Sequence, residues 1–514
     1  MRKMIALFMV TGMILCMLPT GLYASPKESE QASEPASDEA APTGDKTDEV
    51  SPEENTVKTK HKVKIQGESI PYTAETGTMV LNSGGVSCEM FYVAYTRDDV
   101  DDPDDRPITF AFNGGPGSSC FYIQFGCLGP RKAELDEMGN PVSLPAKIID
   151  NENSILDITD LVFIDPVGTG YSRAINMEEE SEFYGYDNDI HSVGDFIRQY
   201  VNRHKRWGSK KYIAGESYGT TRAVGLCKYL TDQYGMYVNG LMLVSSVNDF
   251  NAVIASGGNE TAYALFIPTF AADAWYHGKL SDEYKDMELE DYLEEVRSFV
   301  EEEYIPVLFK GRRVSGDKKE EIAGKLSAYI GVSEDFILKR NLRISLDDFS
   351  TELLSDKKLR LGRYDGRITG PVTGGSLDDG DSDPSSSSTD IAFVNSYQKY
   401  VTEELGYETD TPFIPFSSDV NSVWSLANDW GLITQEDIVY ECMSMNPFLK
   451  IWVLCGYYDS ATPFYSAEWT FNHIFLNEES EKNLSFTYYP SGHMFYVDKE
   501  SFDKFRKDAG KWYR

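Results

Sequence analysis

Apolar residues along the chain change their spacing several times, and the changes divide it into elements. Apolar and polar residues alternate over Lys62–Gln66 and Glu89–Tyr95, which predicts strands with one face toward solvent, as at an antiparallel edge. Short continuous apolar runs follow at Ile108–Phe112, Leu161–Ile164, Lys211–Ala214, Leu241–Val247 and Ile451–Leu454. Runs of that length suit parallel strands covered on both faces. Helical spacing lies between several of them, at Val193–Asn202 and Thr221–Tyr234. Strands alternating with helices predict an α/β fold, a mostly parallel central sheet flanked by helices and joined by right-handed crossovers.

The alternation lapses over residues 252–390. Tyr284–Tyr304 carries an amphipathic pattern (Met287, Tyr292, Val296, Phe299 and Val300) opposite a face dense in Glu. A Gly-, Asp- and Ser-rich stretch, Gly374–Asp390, predicts an exposed loop, and the sheet pattern resumes near Lys450. Residues 61–251 and 391–514 therefore form the predicted core, and 252–390 a largely helical insertion placed over the strand ends as a lid. No internal repeat is visible.

The N-terminus has a different character. Arg2 and Lys3 precede an apolar run, Met4–Leu18, closed by Pro19, and Leu22-Tyr23-Ala24 before Ser25 makes a small-residue cleavage site. These features predict a signal peptide over residues 1–24 and export. The run is shorter than the about 20 residues of a membrane span, so release into the extracytoplasmic space is expected, without stable membrane insertion once the signal is removed. Cys16 follows Leu15, a bulkier residue than lipidation sites accept, which argues against a lipid anchor. Residues 25–60 lack any aromatic, Leu or Ile residue and are rich in Pro, Ser, Ala, Asp and Glu. Such a segment buries too little apolar surface to offset its ordering entropy, so it reads as a disordered acidic linker.

Composition narrows the function classes. The formal net charge is −35, and residues 61–514 alone carry −31. An acidic body excludes a nucleic-acid or anionic-membrane partner, which requires a basic face. Beyond the signal six cysteines remain, Cys88, Cys120, Cys127, Cys227, Cys442 and Cys455, with neither a dense disulfide framework nor a C-x-x-C pair. Histidines are scattered and no H-E-x-x-H occurs, so neither a metal site nor a cofactor is expected.

The strongest chemical signal is Gly215-Glu216-Ser217-Tyr218-Gly219, a G-x-S-x-G between a strand-like run and a helix-like one. In that context it is a nucleophile elbow, with Ser217 raised above the sheet on a sharp turn. A serine nucleophile needs a base, and the base an orienting carboxylate, in the chain order Ser, acid, His. Three histidines follow Ser217. His277 precedes any plausible acid strand, and His473 lies in the helix-like Ala467–Leu476. His493 follows the strand-like Leu484–Tyr489 in a Pro490-Ser491-Gly492 turn and is the best base. Asp459, in the exit loop of the Ile451–Gly456 run, is the candidate acid. Asp498 is the alternative and reads as a solvated helix start. A second glycine cluster, Asn113-Gly114-Gly115-Pro116-Gly117-Ser118-Ser119, follows Ile108–Phe112 directly. Its backbone N–H groups suit a developing oxyanion, with Gly115 and Tyr218 as the candidate donors.

Taken together, N-G-G-P-G-S-S, Asp165–Ser172 (D-P-V-G-T-G-Y-S), G-E-S-Y-G and the late Gly492–Met494 (G-H-M) resemble the serine carboxypeptidases, in the right order from about residue 70 to the C-terminus. Gly215–Arg222 reads G-E-S-Y-G-T-T-R, as in bacterial members. The resemblance implies an α/β-hydrolase fold, a peptide substrate, and release of C-terminal amino acids through Ser217, Asp459 and His493. It also implies that Asn113, Gly114 and Glu216 bind the substrate's terminal carboxylate, for which Glu216 must be protonated. Two positions depart from the family pattern. Cys127 stands where many members carry a second glutamate beside the one before the nucleophile, and Ser118 replaces a cysteine usual in eukaryotic members. Ester hydrolysis or acyl transfer by the same three residues is the alternative activity, and a non-catalytic binding role a third. Oligomeric state is left open.

Overall fold

In the computed structural model, which describes residues 54–137, 139–372, 383–429 and 431–514, the chain enters a ten-stranded sheet at Thr56. Its strands are β1 (Thr56–Ile65), β2 (Glu68–Ser83), β3 (Val86–Arg97), β4 (Ile108–Phe112), β5 (Asp160–Ile164), β6 (Arg173–Ala174), β7 (Lys211–Glu216), β8 (Gly240–Val244), β9 (Lys450–Gly456) and β10 (Leu484–Tyr489). They lie in the order β1-β2-β3-β5-β4-β7-β8-β9-β10, with β6 paired on β3. The first three form an antiparallel meander, β3 meets β5 antiparallel, and the rest of the path is parallel. Helices α1 (Tyr186–Arg203) and α2 (Tyr218–Tyr234) serve as crossovers. This is the α/β-hydrolase fold.

Because successive strand residues point to opposite faces, the apolar runs of the parallel strands feed two cores. Phe110, Ile213, Leu241 and Val453 pack with Phe196 of α1 and Leu226 of α2. Ala111, Ala214, Met242 and Leu454 pack with Phe393 of helix Ser387–Lys399 and Phe505 of helix Lys499–Trp512. Double coverage explains why these runs do not alternate.

Several expected boundaries shift. Strand β1 begins inside the stretch assigned to the linker, since Val57, Lys58 and Lys60 pair with Thr76, Glu75 and Thr73 of β2. Residues 25–53 of that stretch and the expected signal peptide lie outside the described residues. Of the two strands expected to be half-solvated edges, β1 is one and β3 is not. Met90–Tyr95 of β3 is buried on both sides because β2 and β5 flank it and side chains cover both faces. Of the expected loop Gly374–Asp390, residues 374–382 lie outside the described residues, and Ser387 starts a helix that packs into the core. Among the described residues no helix is long and apolar enough to cross a membrane.

Between β8 and β9 the chain is mainly helical, including α3 (Ile267–Tyr276), Leu289–Phe299, Gly316–Ile330 and Leu346–Glu352. Phe270, Phe299, Leu326 and Phe349 from these helices join the same apolar cluster as Leu241 and Leu243 of β8. A short hairpin, Leu359–Leu361 with Thr369–Pro371, then carries its tip, Arg363 to Arg367, to the C-terminal ends of β9 and β10.

Candidate active site

The turn from β7 into α2 places Ser217 in a backbone conformation few side chains adopt, φ 60° and ψ −129°. The turn is tight enough that a Cβ at Gly215 would collide with the carbonyl oxygen of Gly219. Register explains where the turn points. Glu216 pairs with Val244 across β8, and the Ser217 amide donates to the Val244 carbonyl at 2.9 Å. Ser217 is partly exposed whereas the residues on either side are buried.

The loop after β4 crosses directly over this turn. A Cβ on Gly114 would strike the backbone nitrogen of Tyr218, so glycine is what lets the two chains meet. Tyr218 is the first residue of α2, and its amide therefore has no acceptor within the helix. Gly115 takes φ 99°, a second conformation that favours glycine. Buried Arg222 holds loop and helix together. It pairs with Asp189 at 2.7 Å, donates to the Asn113 carbonyl at 2.6 Å, and lies over the rings of Phe112 and Tyr218.

Asp459 and His493 come from the loops after β9 and β10. His493 Nδ1 lies 2.8 Å from Asp459 Oδ2. The Asp459 carboxylate is fully buried and also accepts from the Ala461 and Thr462 amides and the Thr462 hydroxyl. The His493 backbone is fixed at both ends, its amide donating to the Tyr364 carbonyl and its carbonyl accepting from the Ser245 hydroxyl. Burial works against a charged imidazole, but the Asp459 charge and hydrogen bond and the Glu216 charge outweigh it, so the His493 pKa lies above its ordinary value.

Glu216 is buried beneath the same site. Burial pushes its pKa up to about 7, against the opposing influence of His493 and of hydrogen bonds from Tyr496 and Asn113. Asn113 Oδ1 accepts from the Ile123 amide at 3.0 Å, which leaves its NH₂ group for Glu216. The Tyr496 hydroxyl donates to Glu216, 3.0 Å from Oε1 and 2.9 Å from Oε2. Cys127 is fully buried nearby, its thiol pushed far up by burial and by the Glu216 charge, so it stays neutral.

The family profile described as Serine carboxypeptidase matches residues 76–502. The chain belongs to the serine carboxypeptidase family. The pheromone-processing carboxypeptidase KEX1 of Saccharomyces cerevisiae is 32% identical over 137 residues, 25% of this chain and 18% of that protein. Serine carboxypeptidase-like 9 of Arabidopsis thaliana is 26% identical over 151 residues, 29% of this chain and 32% of that protein. The chain thus spans a third or less of these relatives in sequence. The crystal structure of the S. cerevisiae KEX1 prohormone-processing carboxypeptidase superposes with a TM-score of 0.55 over 86% of this chain and 91% of that one, at 17% identity, which speaks for the fold.

In this chain the rejected candidates have other work. His277 ends α3 and bonds the Gly366 carbonyl, and His473 bonds the Trp469 carbonyl. Asp498 does start a helix, accepting from the Ser501 amide, but it is buried rather than solvated and pairs with Arg367 at 3.2 Å. Sequence reasoning missed Tyr496, Arg222 with Asp189, and the hairpin residue Tyr364, whose ring lies 5.3 Å from that of His493. Tyr496 and Arg222 each sit within a motif already singled out or just beside it, but nothing in their spacing announces a partner. All six described cysteines are buried and free.

Proposed function

We propose that the protein is an exported carboxypeptidase that releases C-terminal amino acids from peptides. Ser217 attacks the last peptide carbonyl while His493 takes its proton, and Asp459 holds the imidazole in the orientation and charge state this requires. The Gly115 and Tyr218 amides face the oxyanion as it forms. His493 then returns the proton to the departing amino acid, and water, activated by the same base, hydrolyses the acyl-enzyme on Ser217. Asn113, the Gly114 amide and protonated Glu216 bind the terminal carboxylate. The helical insertion acts as the lid, and its hairpin supplies Tyr364 to the site wall.

The observation that carries this reading is Glu216: a buried acid, one residue before the nucleophile and within reach of the Asn113 amide, that keeps its proton up to about pH 7. A general esterase has no use for a neutral acid there, whereas a reader of peptide ends needs a donor that does not repel a carboxylate. The test compares amino-acid release from N-blocked dipeptides with hydrolysis of aryl esters across pH 4–8. Peptide cleavage supports the proposal; ester turnover with no peptide cleavage throughout that range assigns the same three residues to ester chemistry instead. Fluorophosphonate labelling that disappears in Ser217→Ala separates either enzyme from a non-catalytic binding protein.

A further inference from the structure

The turn that delivers His493 continues through Met494 into the one-turn helix Phe495–Val497, which delivers Tyr496. One short segment therefore brings two side chains to Glu216: the His493 imidazole, whose charge acts on it, and the Tyr496 hydroxyl, which donates to it. Tyr496 is held there tightly. It is buried, Phe495 stacks on Tyr489 at 4.3 Å between centroids, and a Cβ on Gly126 would come within 2.7 Å of the Tyr496 ring. Gly126 precedes Cys127, so the same bend that offers a neutral thiol at that position also clears room for a phenol.

We propose that Tyr496 is a positioning residue for Glu216: its hydroxyl reaches both carboxyl oxygens and so fixes the carboxyl beside Asn113, where a peptide's terminal carboxylate is captured. The inference rests on the function proposed above. Its chemistry follows from the donor inventory. A protonated carboxyl has one O–H, and its carbonyl oxygen accepts. The Tyr496 hydroxyl lies 3.0 Å from one oxygen and 2.9 Å from the other, so it holds the carboxyl in place whichever oxygen carries the proton. A second carboxyl in this place would behave differently, since two acids share a proton and repel when both ionise, raising the first one's pKa. Tyr496 instead stabilises the ionised form and lowers it.

The groups facing Glu216 come from several elements. His493 and Tyr496 follow β10, Asp459 follows β9, Asn113 follows β4, and Tyr122 and Cys127 lie in the bend after it. Of these, His493 and the two hydrogen-bond donors favour the Glu216 anion, while Asp459 disfavours it.

The decisive measurement is pH-difference infrared spectroscopy of the full chain, following the carboxyl band that Glu216→Gln removes. In Tyr496→Phe the midpoint of that band moves up by about one pH unit, because a hydrogen bond to the anion is lost. The KM for an N-blocked dipeptide rises several-fold with kcat changed less than twofold. Site-specific 3-fluorotyrosine at 496, a stronger donor that preserves packing, moves the midpoint the other way and answers the question should Tyr496→Phe not fold. A midpoint unmoved by both replacements, or a Tyr496→Phe loss confined to kcat, overturns the inference. Turnover is not needed for the infrared reading, so a chain that cleaves no peptide yet shows the shift refutes the proposed function and leaves the role of Tyr496 standing.

Discussion

Peptides and esters should report different protonation states of one site. Ester hydrolysis needs only neutral His493, so its kcat/KM rises with pH through the His493 pKa and then stays level. Peptide cleavage needs neutral His493 and protonated Glu216 together. Since Glu216 titrates at about 7, peptide kcat/KM should fall above that pH by about tenfold per unit, the 1.36 kcal/mol that one pKa unit represents. At pH 9 only about one Glu216 in a hundred still carries its proton, so the peptide rate is roughly a hundredfold below that of a site with Glu216 fully protonated while the ester rate is unchanged. The perturbation is Glu216→Gln. Its amide donates at every pH, so the alkaline limb of the peptide profile disappears. The Glu216 charge also raises the His493 pKa, so removing it destabilises the imidazolium, and the acidic limb moves to lower pH. Initial rates with an N-blocked dipeptide and an aryl ester, from pH 4 to 9, measure both limbs. Superimposable peptide and ester profiles in the unmutated protein, or an alkaline peptide limb that persists in Glu216→Gln, would refute the assignment of Glu216.

Further outcomes follow from the same residues. Ser217→Ala should abolish fluorophosphonate labelling and reduce kcat on the order of 10⁶-fold, while Asp459→Asn, which can leave the imidazole in the wrong tautomer, should cost about 10⁴-fold in kcat. Arg222→Met leaves Asp189 buried without its partner and should destabilise the fold by about 3–5 kcal/mol in urea unfolding, with an unchanged midpoint counting against the buttress. Stability should fall as pH rises from about 4.5 to 7 and then level off. Glu216 at about 7 and Asp165 and Asp390 at about 6 all keep protons in the folded state that they have lost in the unfolded one. Thermal melting at pH 5 and 8 measures this, and Glu216→Gln should remove roughly 3 kcal/mol of the difference.

The fold was legible where one physical rule governed a segment. Continuous apolar runs announced β4, β5, β7, β8 and β9 because both faces of those strands are covered. The same rule misjudged β3, whose alternating Glu89–Tyr95 pattern suggested a solvent face. Tyr92 and Tyr95 are counted as amphipathic, yet the Tyr92 hydroxyl donates to Glu75, and the Tyr95 hydroxyl bonds that of Tyr400 and accepts from the Gln124 amide, so large polar-tipped rings fill the interior with their polar tips satisfied. Likewise Thr56–Lys60 looked like linker because its composition is polar, but an edge strand needs only one covered face and a paired backbone, and β2 supplies the pairing.

The candidate site divides the same way. Ser217, Gly114, Gly115 and Glu216 were readable because sharp turns and close backbone approaches demand particular residues at particular spacings. Asp459 and His493 followed from chain order, since each loop after a parallel strand ends at the same edge of the sheet. Tyr496 was not readable. Its partner lies 280 residues away, and a tyrosine three positions after a histidine in an aromatic stretch is ordinary core by any local rule. What makes it more than core is the absence of a carboxyl at Cys127, and only folding brings Tyr496 to the Glu216 carboxyl with Cys127 nearby. The departure from the family pattern at Cys127 therefore does not leave Glu216 unsupported: it changes the supporting group from an acid to a phenol, which moves the pH at which Glu216 gives up its proton without taking away its ability to hold one.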